Sequence, residues 1–424
     1  MMDYGFNSVG LTELANTVNK QYRLDVSPAA FFEYPTLDRF WRFLCQKYSH
    51  SLRLSHRSLS DASAVPEVVF PSIRAATERT TVIERASADD PAVAVVGMAG
   101  ILPGARDLDS FWSSLCLGQS LIAEIPSDRW DWRAYYGDPT KEPGKAGVRH
   151  GGFMPQIDRF DPEFFGISLR EANLLDPQQR LLLETVWQAL ADASIAPSAL
   201  SGSRTGVYIG VSSSDYGDLL KENRLVHEPH SSTGYAHSIL ANRVSYLLNL
   251  NGPSEAIDTA CSSSLVAIHR AAEAIRSGGC ELALAGGVNV LLNPALTVSF
   301  DKAGMLSHEG ACKPFADGAD GYVRSEGVGI LVLKQLGRAV VDRDPIYAII
   351  RGSAVNHGGH AASLTAPNPR SQADLLIELY RRSGVDFRTV SYIEAHGTGT
   401  RLGDPVEIQA LKLASAELDQ PTPF

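Results

Sequence analysis

Two short segments hold residues able to do covalent chemistry together. One runs Asp258-Thr259-Ala260-Cys261-Ser262-Ser263-Ser264-Leu265, the other Glu394-Ala395-His396-Gly397-Thr398-Gly399-Thr400. Cys261 follows a strand-like approach that ends in small residues, and it opens an amphipathic helical pattern. The free N–H groups and positive dipole end of a helix favour a thiolate there. Small neighbours let a substrate carbonyl approach, with backbone N–H groups at hand to hold an oxyanion. The competing reading is a buried cysteine that packs as a small hydrophobe. His396 follows the strand-like run Val390-Ser391-Tyr392-Ile393, so it is expected at a strand carboxyl end. That is where α/β proteins gather their chemistry. An imidazole at that place donates to developing negative charge or takes up a proton. The competing reading is a hydrogen-bonded structural histidine.

The elements that must position these segments alternate in type. Ala92-Val93-Ala94-Val95-Val96 reads as a buried strand, Leu174 to Ala193 as a helix with Leu175, Leu182, Val186 and Leu190 on one side. Gly206 to Gly210 reads as strand, Leu265 to Ser277 as helix, Leu282 to Ala285 as strand, and Tyr347 to Ile350 as strand. Ser371 to Ser383 is a further helix and Val390 to Ile393 a further strand. Strands separated by helices predict an α/β fold with a largely parallel sheet covered by helices. Ahead of it, Leu11, Leu14 and Val18 repeat at helical spacing, as do Leu37, Phe40, Trp41, Leu44 and Tyr48. Residues 49 to 90 are rich in Ser, Arg, Ala, Thr and Pro and read as a linker.

Composition narrows the function classes. At 424 residues two or three domains are expected, and 44 % hydrophobic content supports a large core. The net charge of −10, from 38 basic and 48 acidic side chains, disfavours nucleic-acid and anionic-membrane partners. The amino end, Met1-Met2-Asp3, has neither the basic nor the apolar region of a signal peptide. Leu282 to Val298 is the longest apolar stretch, but Asn289, Asn293 and Pro294 interrupt it as a membrane span. Five scattered cysteines without a Cys-x-x-Cys pair argue against a disulfide framework or a zinc site and point to a reducing cytoplasm. His357-Gly-Gly-His360 lacks accompanying metal ligands and reads as a loop. Gly97, Gly100 and Gly104 do not have dinucleotide-loop spacing.

The segments around Cys261 and His396, 135 positions apart, resemble two active-site blocks of β-ketoacyl synthases. The resemblance continues through Asp158-Arg-Phe-Asp-Pro-Glu-Phe-Phe165, Leu175-Asp-Pro-Gln-Gln-Arg180, Phe315-Ala-Asp-Gly318, Arg324-Ser-Glu-Gly327 and Leu402-Gly-Asp-Pro405. It covers about residues 91 to 415 and is of the modular polyketide synthase type. It implies a thiolase-like ketosynthase fold and a homodimer. It implies that Cys261 takes an acyl chain from a carrier thioester and that His396 stabilises the carbonyl oxygen in decarboxylation and condensation. Thr398 and Thr400 would line the pantetheine arm.

The amino end carries a second resemblance. Asp3-Tyr4-Gly5-Phe6-Asn7-Ser8-Val9 and Phe31-Phe-Glu-Tyr-Pro-Thr-Leu37 are similar to an acyl carrier protein, an all-α helical bundle. The likeness suits synthases that recruit their acyltransferase in trans. It implies that Ser8 bears 4'-phosphopantetheine, installed by a phosphopantetheinyl transferase; the bland alternative is a helix N-cap. Asn7 stands where the family usually has Asp, and only seven residues precede Ser8. The expected organisation is a partial carrier over 1–48, a linker over 49–90 and a ketosynthase over 91–424, incomplete at its carboxyl end. Ketosynthases place a second histidine and a lysine farther along than the 28 residues after His396. Poor modification of Ser8 and no turnover by the chain alone are therefore expected. Three activities stay open: an elongating enzyme, a non-elongating acyl-transfer ketosynthase, and a docking module.

Overall fold

The computed structural model describes residues 17–20, 24–26, 30, 37–48, 92–361 and 363–418. The chain divides into a smaller unit, residues 1–86 with 196–199, and a larger one, residues 87–195 with 200–424. In the smaller unit helix α1, Leu37–Lys47, turns Phe40 and Leu44 inward onto Val26 and Ala30. Their four-residue spacing puts both on one helix face. Trp41, expected on that apolar face, is instead 55 % exposed, because its position points one step around the helix. Asn19 brackets Val26, donating to its carbonyl and accepting from its N–H. Ser8, Leu11 and Leu14 lie outside the described residues.

The larger unit is built on a six-stranded sheet of order β5-β4-β6-β7-β1-β8. The strands are β1 (Val93–Ile101), β4 (Thr205–Gly210), β5 (Ser254–Ile257), β6 (Leu282–Asn289), β7 (Gly327–Gln335) and β8 (Ala348–Ile350); β2 (Ile122–Glu124) and β3 (His150–Gly152) pair separately. Among the principal helices, α2 (Pro177–Asp192) precedes β4 and α3 (His237–Leu247) leads from β4 to β5. Next, α4 (Ser263–Arg276) leads from β5 to β6, and α5 (Pro369–Ser383) and α6 (Gly403–Glu417) follow β8.

The sheet corrects the expectation of largely parallel pairing. Only β4 pairs in parallel, with β5 and β6, and these are the strands joined through α3 and α4. The β6/β7, β7/β1 and β1/β8 pairs are antiparallel. Residues 290–326 contain a helix, Ala295–Lys302, and so look like a crossover in sequence. The register Asn289↔Gly327 shows that they leave and re-enter the sheet at the same end. They form an excursion above the carboxyl ends of the parallel strands.

The sheet packs on α4 through Val93, Val95, Tyr208, Ala283, Ala285 and Leu333 against Ala267, Ala271 and Ile275. Small residues on α4 bring it close to the strands. The helix expected from Leu174 begins three residues later, at Pro177 with Asp176 as N-cap, because Leu175 is extended at the end of a separate short helix, Leu169–Leu174. A methyl group added at Gly97 of β1 would stand 2.6 Å from Ala193 Cβ, so glycine there permits close helix–strand packing rather than a phosphate loop. A buried ion pair braces the excursion. Glu326 accepts from Arg129 Nε at 2.8 Å and from the backbone N–H groups of Met154 and Leu291.

After β8 the architecture changes. Helices α5 and α6 pair through Ala373, Ile377, Ala410 and Ala414. Val390–Ile393, expected as a strand, is extended but forms no ladder, and Tyr392 is 75 % exposed. β-Branched and aromatic residues supply strand propensity, but a strand exists only with a hydrogen-bonded neighbour.

Candidate active site

The turn into α4 is built from its own polar side chains. Asp258 accepts from Ala260 N at 3.0 Å, and Ser263 Oγ donates to Ala260 O while accepting from Thr259 N. Ser262 Oγ donates to Thr259 O. Ala260 has φ of 56°, a left-handed conformation costly for a residue with a Cβ, and this bend directs Cys261 outward. Glycine at the strand ends lets the helix start come close. A methyl group at Gly210 would lie 2.5 Å from Ser264 N, and one at Gly287 would lie 2.9 Å from Ser264 Cβ.

Cys261 is exposed at the amino end of α4, whereas Cys280 is 3 % exposed. Burial pushes the Cys280 thiol up to about 11, which makes it the packing cysteine of the pair. The small-hydrophobe reading therefore fits Cys280 and not Cys261. Tyr322, on the excursion, has its phenol raised first by burial and then by its electrostatic interaction with Cys261. Sequence reasoning missed Tyr322, and no spacing signal marks it.

The His396 segment is held by carboxylates. Glu407 accepts from His396 N at 2.7 Å and from Gly397 N at 2.9 Å. Asp404 accepts from Gly399 N at 3.0 Å and from Phe315 N at 2.6 Å. His396 thus sits in a loop fastened to α6, not at the end of a strand as expected. Its imidazole is on an exposed residue, so the buried structural-histidine reading does not describe it. Asp404 lies in the Leu402-Gly-Asp-Pro405 segment quoted above, and Glu407 follows one helical turn later on the same face.

The excursion contacts the His396 loop. Gly321 N donates to Gly399 O at 2.8 Å, and Cys312 Sγ lies 3.6 Å from Gly397 O. Tyr322, whose phenol is raised in part by Cys261, follows Gly321 directly. The Cys312 thiol is raised by burial and then by Asp404, which disfavours its thiolate.

Thr398 and Thr400 share a hydroxyl hydrogen bond of 2.9 Å, and Thr400 Oγ1 accepts from Gly403 N. Two hydroxyls carry two protons and their mutual bond uses one, so one donor is left for an incoming group. Ser8 offers the chemistry of a phosphoester link but lies outside the described residues. His357 Nδ1 accepts from Gly359 N in a local turn. Among the described residues no three His, Cys, Asp or Glu side chains group as metal ligands, and no helix is long and apolar enough to cross a membrane.

Comparison with known proteins gives three domain matches. Residues 90–339 match the β-ketoacyl synthase N-terminal domain, 347–423 its C-terminal domain, and 1–44 the phosphopantetheine attachment site. The chain is 47 % identical over 423 residues to polyketide synthase PksN of Bacillus subtilis, covering 98 % of this chain and 8 % of that protein. It is 40 % identical over 435 residues to PksM of the same organism, covering 100 % of this chain and 10 % of that protein. The chain thus spans a tenth or less of either relative. Among solved structures it resembles the oxazolomycin ketosynthase domain OzmH KS7 of Streptomyces albus JA3453, with TM-score 0.73 and 45 % identity over 76 % of this chain and 57 % of that one. The ketosynthase from module 6 of the bacillaene synthase of Bacillus subtilis 168 gives TM-score 0.71 and 42 % identity, over 78 % of this chain and 55 % of that one. With a thiolase-like sheet and a phosphopantetheine-attachment region ahead of it, the chain belongs to the β-ketoacyl synthases of the polyketide synthase type.

Proposed function

We propose that the chain contains an elongating ketosynthase, with Cys261 as nucleophile and His396 as the donor that stabilises developing oxyanions. The observation that carries this reading is the exposed Cys261 thiol at the start of α4. In the loading step the Cys261 thiolate attacks a thioester carbonyl. The carrier's carbon–sulfur bond breaks, and its sulfur leaves as a thiol after taking a proton. In the second step a carrier-bound malonyl group loses carbon dioxide, and its electron pair becomes an enolate. His396 donates a hydrogen bond to the enolate oxygen. The enolate carbon attacks the acyl carbonyl, and Cys261 is released as a thiolate.

On this reading residues 1–48 are carrier, 49–90 linker and 91–424 ketosynthase, with Ser8 the attachment point for 4'-phosphopantetheine and Thr398 and Thr400 along its arm. When bound, that group supplies a long flexible tether ending in a thioester-forming thiol. The partners are acyl carrier domains, an acyltransferase acting in trans, a phosphopantetheinyl transferase and a second copy of the chain, all in a reducing cytoplasm. Edge strand β5 supports the second copy. It ends the sheet with one side unpaired, while Tyr246 and Leu265 on the helices beside it are 83 % and 71 % exposed.

The test supplies an acyl-pantetheine thioester and then malonyl-carrier, and reads products by mass. A β-ketoacyl product is the outcome expected of an elongating ketosynthase. Acyl loading without a condensed product supports a non-elongating ketosynthase instead, and no loading supports a docking module.

A further inference from the structure

One cavity of the larger unit collects polar side chains that the proposed chemistry does not use. It lies between β3 and the excursion, and its polar lining is Trp130, His150, Thr297, Ser307, Tyr322 and Arg324. The rest of the lining is apolar side chains and a glycine, and no carboxylate lines it among the described residues. Arg324 brings the charge. Its guanidinium stands over the Phe300 ring at 5.2 Å, and Nη1 donates to Thr297 Oγ1 at 2.8 Å. A guanidinium carries a whole fork of N–H donors, yet among the described residues only Thr297 accepts from this one. Burial pushes its pKa down, which Asp215 and Tyr322 offset only in part. Asp215 spends one carboxylate oxygen on the N–H groups of Leu292 and Asn293 and makes no ion pair with Arg324.

The neighbours of Arg324 in the cavity are also short of partners. Among the described residues the Trp130 indole, the Tyr322 phenol and both ring nitrogens of His150 make no hydrogen bond, and His150 Nδ1 is buried. Trp130 can only donate, and burial keeps the proton on Tyr322. Thr297 accepts from Arg324 and keeps its own hydroxyl proton to give. Donors that converge without an acceptor call for one, and a partly buried cation calls for a counter-charge. Water meets the first need and not the second. The cavity has about 10 Å³ of free volume, which admits one water-sized species and excludes an acyl chain or a phosphate. We infer that this cavity binds a single monatomic anion, a halide such as chloride, held by Arg324 with Thr297, Tyr322 and Trp130 as further donors. The bound ion ties the helix Ala295–Lys302 and the returning end of the excursion to the stretch between β2 and β3.

The experiment keeps the full chain at constant ionic strength in gluconate and replaces gluconate by chloride or bromide up to about 0.15 M. Wild type is compared with Arg324→Met, Thr297→Val and Arg388→Gln. Arg388 is exposed and paired with Asp386, so it controls for the loss of one positive charge. Thermal melting and the bromide NMR linewidth report binding, and anomalous scattering from bromide-grown crystals locates the ion. In wild type the melting temperature rises by about 2 °C and saturates, and the bromide line broadens. The anomalous peak lies in contact with the Arg324 guanidinium. Arg388→Gln behaves as wild type, Thr297→Val weakens halide affinity by about 2- to 10-fold, and Arg324→Met loses the saturable response. A map with no anomalous peak at Arg324 overturns the inference. So does a chloride effect that rises without saturating, which is a general salt effect, or an unaltered response in Arg324→Met. Where Arg324→Met does not fold, the anomalous map and Thr297→Val decide.

Discussion

The turn at Cys261 and the loop at His396 are fixed by different physics. The cysteine turn is wedged. Helix α4 is pressed into the sheet by buried alanines, and its first turn meets strand ends that only glycine permits. The histidine loop is tethered, held by carboxylates of a helix pair whose shared core is four small or medium side chains. Wedging fixes position through volume exclusion, so it fails only when the core fails. Tethering fixes position through a few hydrogen bonds, so one side chain can release it while the fold persists. On the proposed function, a two-step enzyme gains from this division: the proposed nucleophile is held rigidly, and the group proposed to meet the second substrate can be tuned on its own.

Perturbations of the wedged region should be the largest in stability. Arg129→Ala leaves the buried Glu326 carboxylate without its charge partner and loosens both ends of the excursion. A loss of about 3–5 kcal/mol is expected, read as a lowered denaturation midpoint. Gly210→Ala drives a methyl group against the Ser263 and Ser264 backbone, and about 1–3 kcal/mol is expected from overpacking, read by thermal melting. A Gly210→Ala protein as stable as wild type would break the comparison, because the turn would then not be wedged.

Asp176 sharpens it by pH. It caps α2 and is bonded to Gln178, which also reaches Ser213 just past β4. Burial raises its carboxyl from 3.8 to about 6, so the folded protein holds that proton more tightly than the unfolded chain does. The resulting stabilisation is complete below about pH 4 and is lost as pH rises through about 6. Asp176→Asn should flatten that part of the stability-against-pH curve, measured by denaturant titration from pH 4 to 7. Glu407→Gln should change global stability least of all these variants, since its bonds hold a loop and not a core.

Sequence and structure agree where local pattern and packing point the same way. The α2 helix is legible from the spacing of Leu182, Val186 and Leu190, all of which are buried, though its start is not. The Cys261 helix start is legible because small residues before an amphipathic run have few other uses. Strand direction is not legible, because residues 290–326 contain a helix whether the chain crosses the sheet or returns at the same end. Val390–Ile393 misleads for a related reason: β-branched and aromatic content reports propensity, and pairing depends on what lies alongside. Tyr322 and Glu407 are invisible to spacing because their partners are 61 and 11 positions away and are chosen by topology.

The central claim is that Cys261, alone among the cysteines, is the acyl acceptor. The direct measurement is intact and peptide mass after brief exposure of the chain to an acyl-pantetheine thioester, with Cys261→Ala alongside. One acyl group on the peptide containing Cys261, absent from the folded and equally stable Cys261→Ala protein, is the expected result. Acylation at Cys312, whose thiol is raised by burial and Asp404, or equal labelling of Cys261→Ala, would contradict it.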